Sequence, residues 1–238
     1  MSNSGACAAT LVGGASAAAG WPWALLLIAW FVASSALTRL GEQAKATRTQ
    51  ATLPAASARR ATQVWANGGG FAACALGAGL GGGEAAALSA LGALAAAAAD
   101  TWATEIGLLA GRRPRSILTG GFVEPGLSGG VTWAGTLGGA AGAAAVALGA
   151  QALALLPEGS FVVVAVAGVL GGLGDSVLGA SVQAKRRCPR CDRWTERATH
   201  DCGVATEHAR GWRWMTNDTV NLLATFIGAV AAFLLSTL

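Results

Sequence analysis

Residues 97–136, AAADTWATEIGLLAGRRPRSILTGGFVEPGLSGGVTWAGT, contain both the apolar and the chemical features of this chain. An alanine-rich apolar segment carries Asp100 and Glu105, ends at a basic cluster, and is followed by a loop rich in Gly and Ser. Carboxylates that face lipid are costly, so acids in such a segment usually face a partner, a cavity or an ion. Glycines let several backbone N–H groups approach an anion closely. The stretch therefore predicts a nucleotide–metal site at a membrane surface.

The composition around this stretch is that of a membrane protein. Of the 238 residues, 53% are hydrophobic and 12% are charged, whereas a soluble domain has about 25% charged residues. About 20 apolar residues span a bilayer. We therefore predict an all-α polytopic membrane protein, a single integral membrane domain over 1–238, with seven transmembrane segments, or six if the short first segment is not a full span. The segments lie at roughly 6–19, 21–39, 64–80, 85–110, 129–150, 160–183 and 218–238.

The positive charges predict the orientation. All 16 Lys and Arg residues fall within 39–60, 112–115 and 185–213, which connect alternate segments and so lie on one side. The positive-inside rule places these basic loops and the N-terminus in the cytoplasm. The basic charge therefore has a topological explanation, and we expect no nucleic-acid partner. No basic region precedes the first apolar run, so we expect no cleaved signal. Without a transit-like leader, we favour a prokaryotic plasma membrane. The 35 glycines suit close helix packing, and a homo-oligomer is left open.

Two acids are predicted to lie within the membrane. Asp100 and Asp175 precede the next basic clusters by ten or more residues, roughly 15–18 Å along a helix. We expect the glycines at 171, 172 and 174 to break the helix and open a water-filled pocket. Glu105 shares a helix face with Thr101. Acids with hydroxyls suit Mg²⁺. The alternative is an ion pair between helices, but few basic residues are available there.

Three further segments carry polar groups at predicted helix ends. In TNDTVN (216–221), Asn217 and Asn221 share a face near Asp218, at a helix N-terminus that favours an anion. An N-cap by Thr216 or Asn217 would explain only one of these polar residues. Asn67 precedes Gly68-Gly69, which alone is more often a turn. GLSGGVT (126–132) offers the hydroxyls of Ser128 and Thr132, and three arginines nearby (Arg112, Arg113 and Arg115) offer charge for phosphate. The sequence has no Walker A motif, so a P-loop NTPase is not predicted.

The basic segment 185–213 is predicted to be a cytoplasmic loop with a zinc knuckle. Its sequence CPRCDRWTERATHDCG (188–203) has a CxxC pair followed by His and Cys. This set suits a structural, tetrahedral Zn²⁺ held by Cys188, Cys191, His200 and Cys202, with His208 as the alternative to His200. A redox CxxC is the other interpretation, but it leaves Cys202 and His200 without a role. Cys7 and Cys74 lie singly in apolar segments, where packing is their expected role.

Several phrases in their order resemble one widespread membrane family. They are QVWANGG (63–69), ADTWATEIG (99–107), PGLSGGVTWAGTLGG (125–139), GDSVLGASVQAKRRCPRC (174–191), THDCG (199–203) and TNDTVNLLAT (216–225). This family, long of unknown function, includes plant phytyl-phosphate kinase. The resemblance implies a CTP-dependent kinase of membrane isoprenoid monophosphates such as phytyl or geranylgeranyl phosphate, which yields the diphosphate.

If the chain catalyses this reaction, the physics of phosphoryl transfer predicts roles for the residues singled out above. Mg²⁺ on the triphosphate would be held by Asp100, Glu105, Asp175 and Asp218. Phosphates would be bound by Ser128, Gly129, Gly130, Thr132, Asn67, Asn217 and Asn221. Lys185, with Arg112 or Arg113, would offset charge on the transferred group. The acceptor is already an ionised phosphate, so the reaction depends on positioning and charge neutralisation and needs no strong base.

Two other functions use the same residues. A cytidylyltransferase would place CMP on a lipid phosphate and release pyrophosphate. A transporter of an anionic substrate would bind near Asp175 between broken helices and use its acids for proton coupling. The reaction products separate the first alternative from the kinase, and dependence on a pH gradient identifies the second.

Overall fold

The chain is a bundle of long helices joined by small sheets at one end. A computed structural model describes residues 2–53 and 59–237. The helices are α1 Asn3–Ala19, α2 Trp21–Arg39, α3 Glu42–Thr49, α4 Ala61–Val64, α5 Gly70–Gly77, α6 Gly83–Ala110, α7 Trp133–Ala152, α8 Phe161–Ser181 and α9 Asn217–Leu235. Two π-helical turns, Trp65–Gly69 and Ala78–Gly82, join α4 to α5 and α5 to α6. The predicted all-α membrane architecture is confirmed.

Five helical stretches of the described chain are long and apolar enough to cross a membrane, and the longest, Ala61–Ala110, is a hairpin. At Gly81 the φ angle is 98° and at Gly83 it is 67°, left-handed conformations that glycine adopts at little cost. Gly77 lies against Ala86 and Gly70 against Ala93, so the two arms run antiparallel. The predicted division into separate segments at 64–80 and 85–110 agrees with this reversal.

The short first helix runs alongside the whole first arm of this hairpin. Near its start, the Ser2 backbone N–H donates to Arg59 O (3.2 Å). Val12 contacts Gly68, and Ala19 contacts Gly79 at the other end of the arm. With 17 residues, α1 therefore reaches as far as α4 and α5 together. This favours seven membrane crossings, although that number stays a prediction.

Helix α6 is the centre of the bundle, and it packs against α5, α7, α8 and α9. Every residue from Ala90 to Ala99 is buried. Glycines, which have no side chain, allow the helices to come this close. A Cβ added to Gly92 would lie 2.3 Å from Gly228 O, and one added to Gly171 would lie 2.3 Å from the Ala96 Cβ. In lipid, where apolar burial gives little driving force, such backbone contact holds helices together. The run of buried α6 residues ends at Ala99, directly before Asp100.

Two sequence-based expectations about the helices were wrong. The expected break at 171–174 is absent from α8, which is continuous from Phe161 to Ser181. The glycines serve packing instead, since a Cβ on Gly172 would lie 3.0 Å from the Ala99 Cβ. The segment expected from 129 begins its helix only at Trp133, because Thr132 is extended and caps α7 by accepting a hydrogen bond from Gly135 N (3.0 Å).

The loops fold into two small antiparallel sheets at one end of the bundle. Strand β1 (Arg115–Ser116) pairs with β2 (Gly130–Val131). In segment 185–213, β3 (Lys185–Arg187) lies between β4 (Trp194–Thr195) and β5 (Glu207–Arg210). Directly after β4, Glu196 N donates to Thr52 O (2.8 Å) in the turn that follows α3. The three basic segments therefore meet at the same end of the bundle, as their charge predicted. That this end is cytoplasmic stays a prediction.

Candidate functional site

A cleft of about 1230 Å³ opens where the basic segments meet α6, α7, α8 and α9. Its wall combines charges of both signs. The acidic residues that line it are Asp100, Glu105, Asp175, Glu196 and Asp218, and the arginines are Arg48, Arg60, Arg112, Arg113, Arg186 and Arg213. A cleft with carboxylates and many guanidinium groups suits a ligand that carries both phosphates and a divalent cation.

The carboxyl groups of Asp100 and Asp175 are neighbours in this cleft and interact directly with each other. Asp100 lies ten residues before the end of α6, roughly 15 Å along the helix. With its amide assigned from hydrogen bonding, Asn221 donates to Asp175 Oδ1 (3.2 Å) and to Asn217 O (3.1 Å). The sequence predicted that Asp100 and Asp175 belong to one site, and the structure places both in the same cleft.

The other two acids predicted to hold Mg²⁺ have partners of their own. Lys45 Nζ lies 2.5 Å from Glu105 Oε2 and donates to Thr38 O (2.6 Å). Both side chains of this pair are largely buried. Asp218 Oδ2 lies 3.5 Å from Arg60 Nη2. The four acids therefore divide into one adjacent pair and two ion-paired carboxylates, and a metal role for Glu105 and Asp218 stays a prediction.

The adjacent pair is a suitable ligand set for Mg²⁺. This ion takes one or two carboxylates from the protein and completes its octahedron with water and substrate phosphates. Asp100 and Asp175 supply those carboxylates, and hydroxyls of the same wall (Thr101, Thr104 and Ser176) lie along the cleft. The residues present fit the ion without the other two acids.

The glycine loop forms one wall of the cleft through Ser128, Gly129, Gly130 and Thr132. Gly129 has a φ of 82°, and an added Cβ there would lie 2.4 Å from the Ala180 N atom, so the loop rests on the last turn of α8. Two of its N–H groups are already engaged: Ser128 N donates to Glu196 Oε1 (3.0 Å) and Gly130 N to Leu127 O (3.1 Å). These two amides are therefore not free to bind a phosphate, and a phosphate-binding role for the loop stays a prediction.

Three predicted site residues lie behind the wall rather than in it. Lys185 is buried and its Nζ donates to Ser128 O (2.8 Å). Asn67 lies in the first π-helical turn and donates to Gln63 O (3.0 Å). Asn221 supports Asp175 as described above. Arg112, Arg113, Asn217 and Asp218 do line the cleft, and Thr216 caps α9 as the simpler interpretation required.

The sequence argument missed Glu196, whose carboxylate lines the cleft and accepts a hydrogen bond from Ser128 Oγ (2.5 Å). Burial raises the pKa of Glu196, and the hydrogen bonds from Ser128 and the charge of Lys185 oppose this shift. Burial lowers the pKa of Lys185, which the charge of Glu196 opposes. Glu196 is one of four acids in the basic loop 185–213, with Asp192, Asp201 and Glu207, so no local signal singled it out.

The four predicted zinc ligands converge. Among the described residues, Cys188, Cys191, His200 and Cys202 are the one group of three or more potential ligands whose atoms lie within 4.8 Å of one another. The Cys188 and Cys202 Sγ atoms are 3.6 Å apart, and Cys202 Sγ lies 3.2 Å from His200 Nδ1. A tetrahedral Zn²⁺ site has edges of roughly 3.6–3.8 Å, so the set fits the ion. His208 lies outside the group and lines the cleft.

We expect the purified protein to hold one zinc ion per chain and Cys202→Ser to lose most of it. Because the segment has little apolar core, loss of the ion should also speed tryptic cleavage after Arg190 and Arg193. Metal analysis by plasma mass spectrometry and timed proteolysis measure the two effects. Cys7→Ser, a change at an exposed cysteine outside the group, is the control. Equal zinc content in both variants would contradict a zinc site here.

Comparison with known proteins identifies the family of this chain. A family model described as integral membrane protein DUF92 matches residues 1–229. The chain belongs to this family. Membership in DUF92 confirms the sequence-based resemblance and the integral membrane character. It assigns no reaction to the cleft.

The relatives within this comparison are distant. An uncharacterised membrane protein of Synechocystis sp. is 30% identical over 219 residues, 91% of this chain and 74% of that protein. An uncharacterised membrane protein of Methanocaldococcus jannaschii is 31% identical over 60% of this chain and 48% of its own length. Protein PGR of Arabidopsis thaliana is 31% identical over 56% of this chain and 50% of its own length. The matches thus span about half the length of the archaeal and plant relatives. No solved structure matches the chain significantly.

Proposed function

We propose that the protein transfers a phosphoryl group from CTP to a membrane isoprenoid monophosphate, such as phytyl or geranylgeranyl phosphate, and forms the diphosphate. The observation that carries this proposal is the cleft itself, in which the adjacent Asp100 and Asp175 face a rim of arginines at the end of a membrane bundle. The resemblance in sequence to prenyl-phosphate kinases supplies the nucleotide and the class of acceptor.

The reaction needs charge neutralisation more than acid–base chemistry. The ionised oxygen of the acceptor attacks the γ-phosphorus of CTP, the bond from that phosphorus to the β,γ-bridging oxygen breaks, and CDP leaves with the electron pair. Arg112, Arg113 and Arg213 line the cleft and would bind the anionic groups. Asp100 and Asp175 would hold a Mg²⁺ ion, which would neutralise negative charge on the nucleotide phosphates.

The cleft also offers space for an apolar chain. Between α7 and α8 it is lined by Gly139 and Ala140 on one side and by Val169 and Leu173 on the other. Deeper in the bundle the helices close, since a Cβ on Gly168 would lie 2.8 Å from the Ala143 Cβ. The first units of a prenyl tail fit this corner, and the rest of the tail would lie in the bilayer with its phosphate beside the carboxylates.

Orientation is part of the proposal. The cleft lies at the end of the bundle that carries all described basic residues, which the positive-inside rule places in the cytoplasm. CTP is a cytoplasmic metabolite, so a plasma-membrane kinase would need its cleft on that side. A cysteine introduced at Arg112 should therefore react with a membrane-impermeant maleimide only in inverted vesicles.

The test is nucleotide turnover by the purified protein in detergent with Mg²⁺. We expect CDP to form when phytyl or geranylgeranyl phosphate is present and not in its absence. Release of pyrophosphate with a CDP-lipid would instead establish the cytidylyltransferase. No turnover of CTP, ATP, GTP or UTP with any prenyl phosphate would contradict both enzymatic functions, and uptake of an anion into vesicles under a pH gradient would then identify a transporter.

A further inference from the structure

Ser128 of the glycine loop is fixed at each of its polar groups by segment 183–196. Its N–H and its hydroxyl both donate to Glu196 Oε1, at 3.0 and 2.5 Å. Gln183 Nε2 donates to Ser128 Oγ (2.8 Å), and Lys185 Nζ donates to Ser128 O (2.8 Å). A residue held in this way has little freedom, even though it lies among glycines that otherwise favour a mobile loop.

Glu196 is itself held by the main chain around it. Its N–H donates to Thr52 O (2.8 Å), and the buried hydroxyl of Thr195 donates to the same oxygen (3.0 Å). Thr195 belongs to β4, which pairs with β3 just before Cys188. The carboxylate is therefore presented to the cleft from a fixed sheet, rather than from the end of a free loop.

The position of Ser128 determines where the rest of the wall lies. Gly129 follows directly and has its backbone against Ala180 on the last turn of α8, the helix that also carries Asp175. There is no room for the loop to move toward α8, because an added Cβ would already overlap Ala180. If Ser128 were released, the wall could move only outward and widen the cleft on the side of Asp175.

We propose that Glu196 is a positioning residue, which fixes the glycine loop through Ser128 and thereby sets the width of the cleft that receives the nucleotide phosphates. Glu196 does this with one carboxylate oxygen that accepts both Ser128 hydrogen bonds. Direct contact with substrate is not required. The effect on catalysis rests on the proposed function, whereas the effect on the loop does not.

The first readout is amide hydrogen exchange of peptides that cover 126–132, measured in detergent without substrate. Glu196→Ala should speed exchange there at least tenfold, because Ser128 N–H loses its acceptor. Glu196→Gln retains an oxygen that can accept both bonds and should restore most of the protection. Glu207→Ala, an exposed acid on β5 outside the cleft, should leave exchange unchanged. Equal exchange in wild type and Glu196→Ala would overturn the proposal.

The second readout is steady-state kinetics. Glu196→Ala should raise KM for CTP about tenfold with a smaller change in KM for the prenyl phosphate and an unchanged zinc content. Ser128→Ala removes only the hydroxyl hydrogen bond and should raise KM for CTP less than Glu196→Ala does, and the double variant should be no worse than Glu196→Ala alone. Additive losses would overturn the proposed coupling. If Glu196→Ala speeds exchange of the loop but the wild-type protein shows no turnover, the proposed function is overturned and the positioning role is still supported.

Discussion

Replacing Asp175 with asparagine is expected to lower kcat for CTP-dependent phosphorylation on the order of 10³-fold. A divalent ion contributes several kcal/mol to phosphoryl transfer, and the carboxylate pair is its proposed binding site. The substitution keeps the size of the side chain and a hydrogen-bond acceptor for Asn221, so the fold should persist. Asp100→Asn is expected to have the same effect, and the double variant should lose little more, since both remove one ion.

The measurement is turnover at several Mg²⁺ concentrations on protein that elutes as a single species in detergent. Glu84→Gln is the matched control, because Glu84 lies in the first turn of α6, the helix of Asp100, at the opposite end from the cleft. We expect this variant to retain wild-type activity. An Asp175→Asn or Asp100→Asn protein with at least half of wild-type turnover would remove the metal proposal for the pair.

Gly92→Val is expected to destabilise the bundle by about 3 kcal/mol or more, or to prevent folding. A Cβ at this position would lie 2.3 Å from Gly228 O and 2.6 Å from the Ala232 Cβ, so α6 and α9 would have to separate. Overpacking a well-packed core typically costs 1–3 kcal/mol, and a clash with backbone is harder to relieve than one with a side chain. Gly228→Val should act similarly, since its added Cβ would lie 2.5 Å from Gly92 O.

The melting temperature of the detergent-solubilised protein, read from intrinsic tryptophan fluorescence, measures this effect, with an expected drop of roughly 10 °C. Gly14→Val is the control, because an added Cβ at this exposed glycine of α1 meets nothing within 4 Å. If Gly92→Val and Gly14→Val had the same melting temperature, the close contact between α6 and α9 would not be a main source of the stability of the bundle.

The features that the sequence predicted well depend on local patterns. Apolar segments of about 20 residues and the distribution of Lys and Arg predicted the helices and the end of the bundle at which the basic segments meet. The CxxC spacing with a nearby His and Cys predicted the four residues that converge. Asp100 and Asp175, each an acid in an apolar helix, were predicted to share a site, and their carboxyl groups are adjacent.

The features that were missed depend on partners far along the chain. The pairing of Glu105 with Lys45, 60 residues away, was not predicted, because no local pattern indicates it. The glycines of α8 were expected to break the helix, yet their role follows from the alanines of α6 that face them. Glu196 binds Ser128 across 68 residues. Tertiary packing determines which residues contact each other across such distances. The sequence therefore shows which residue types are present but not which of them pair.

The most direct measurement is the fate of label from CTP in the reaction with geranylgeranyl phosphate. The proposed kinase predicts that phosphorus-32 in the γ position appears in the lipid diphosphate, that label in the α position stays in CDP, and that Asp175→Asn abolishes the transfer. Label from the α position in the lipid would contradict the kinase and show a cytidylyl transfer. Label in neither lipid product, with intact protein and Mg²⁺ present, would contradict a nucleotide-dependent reaction in this cleft.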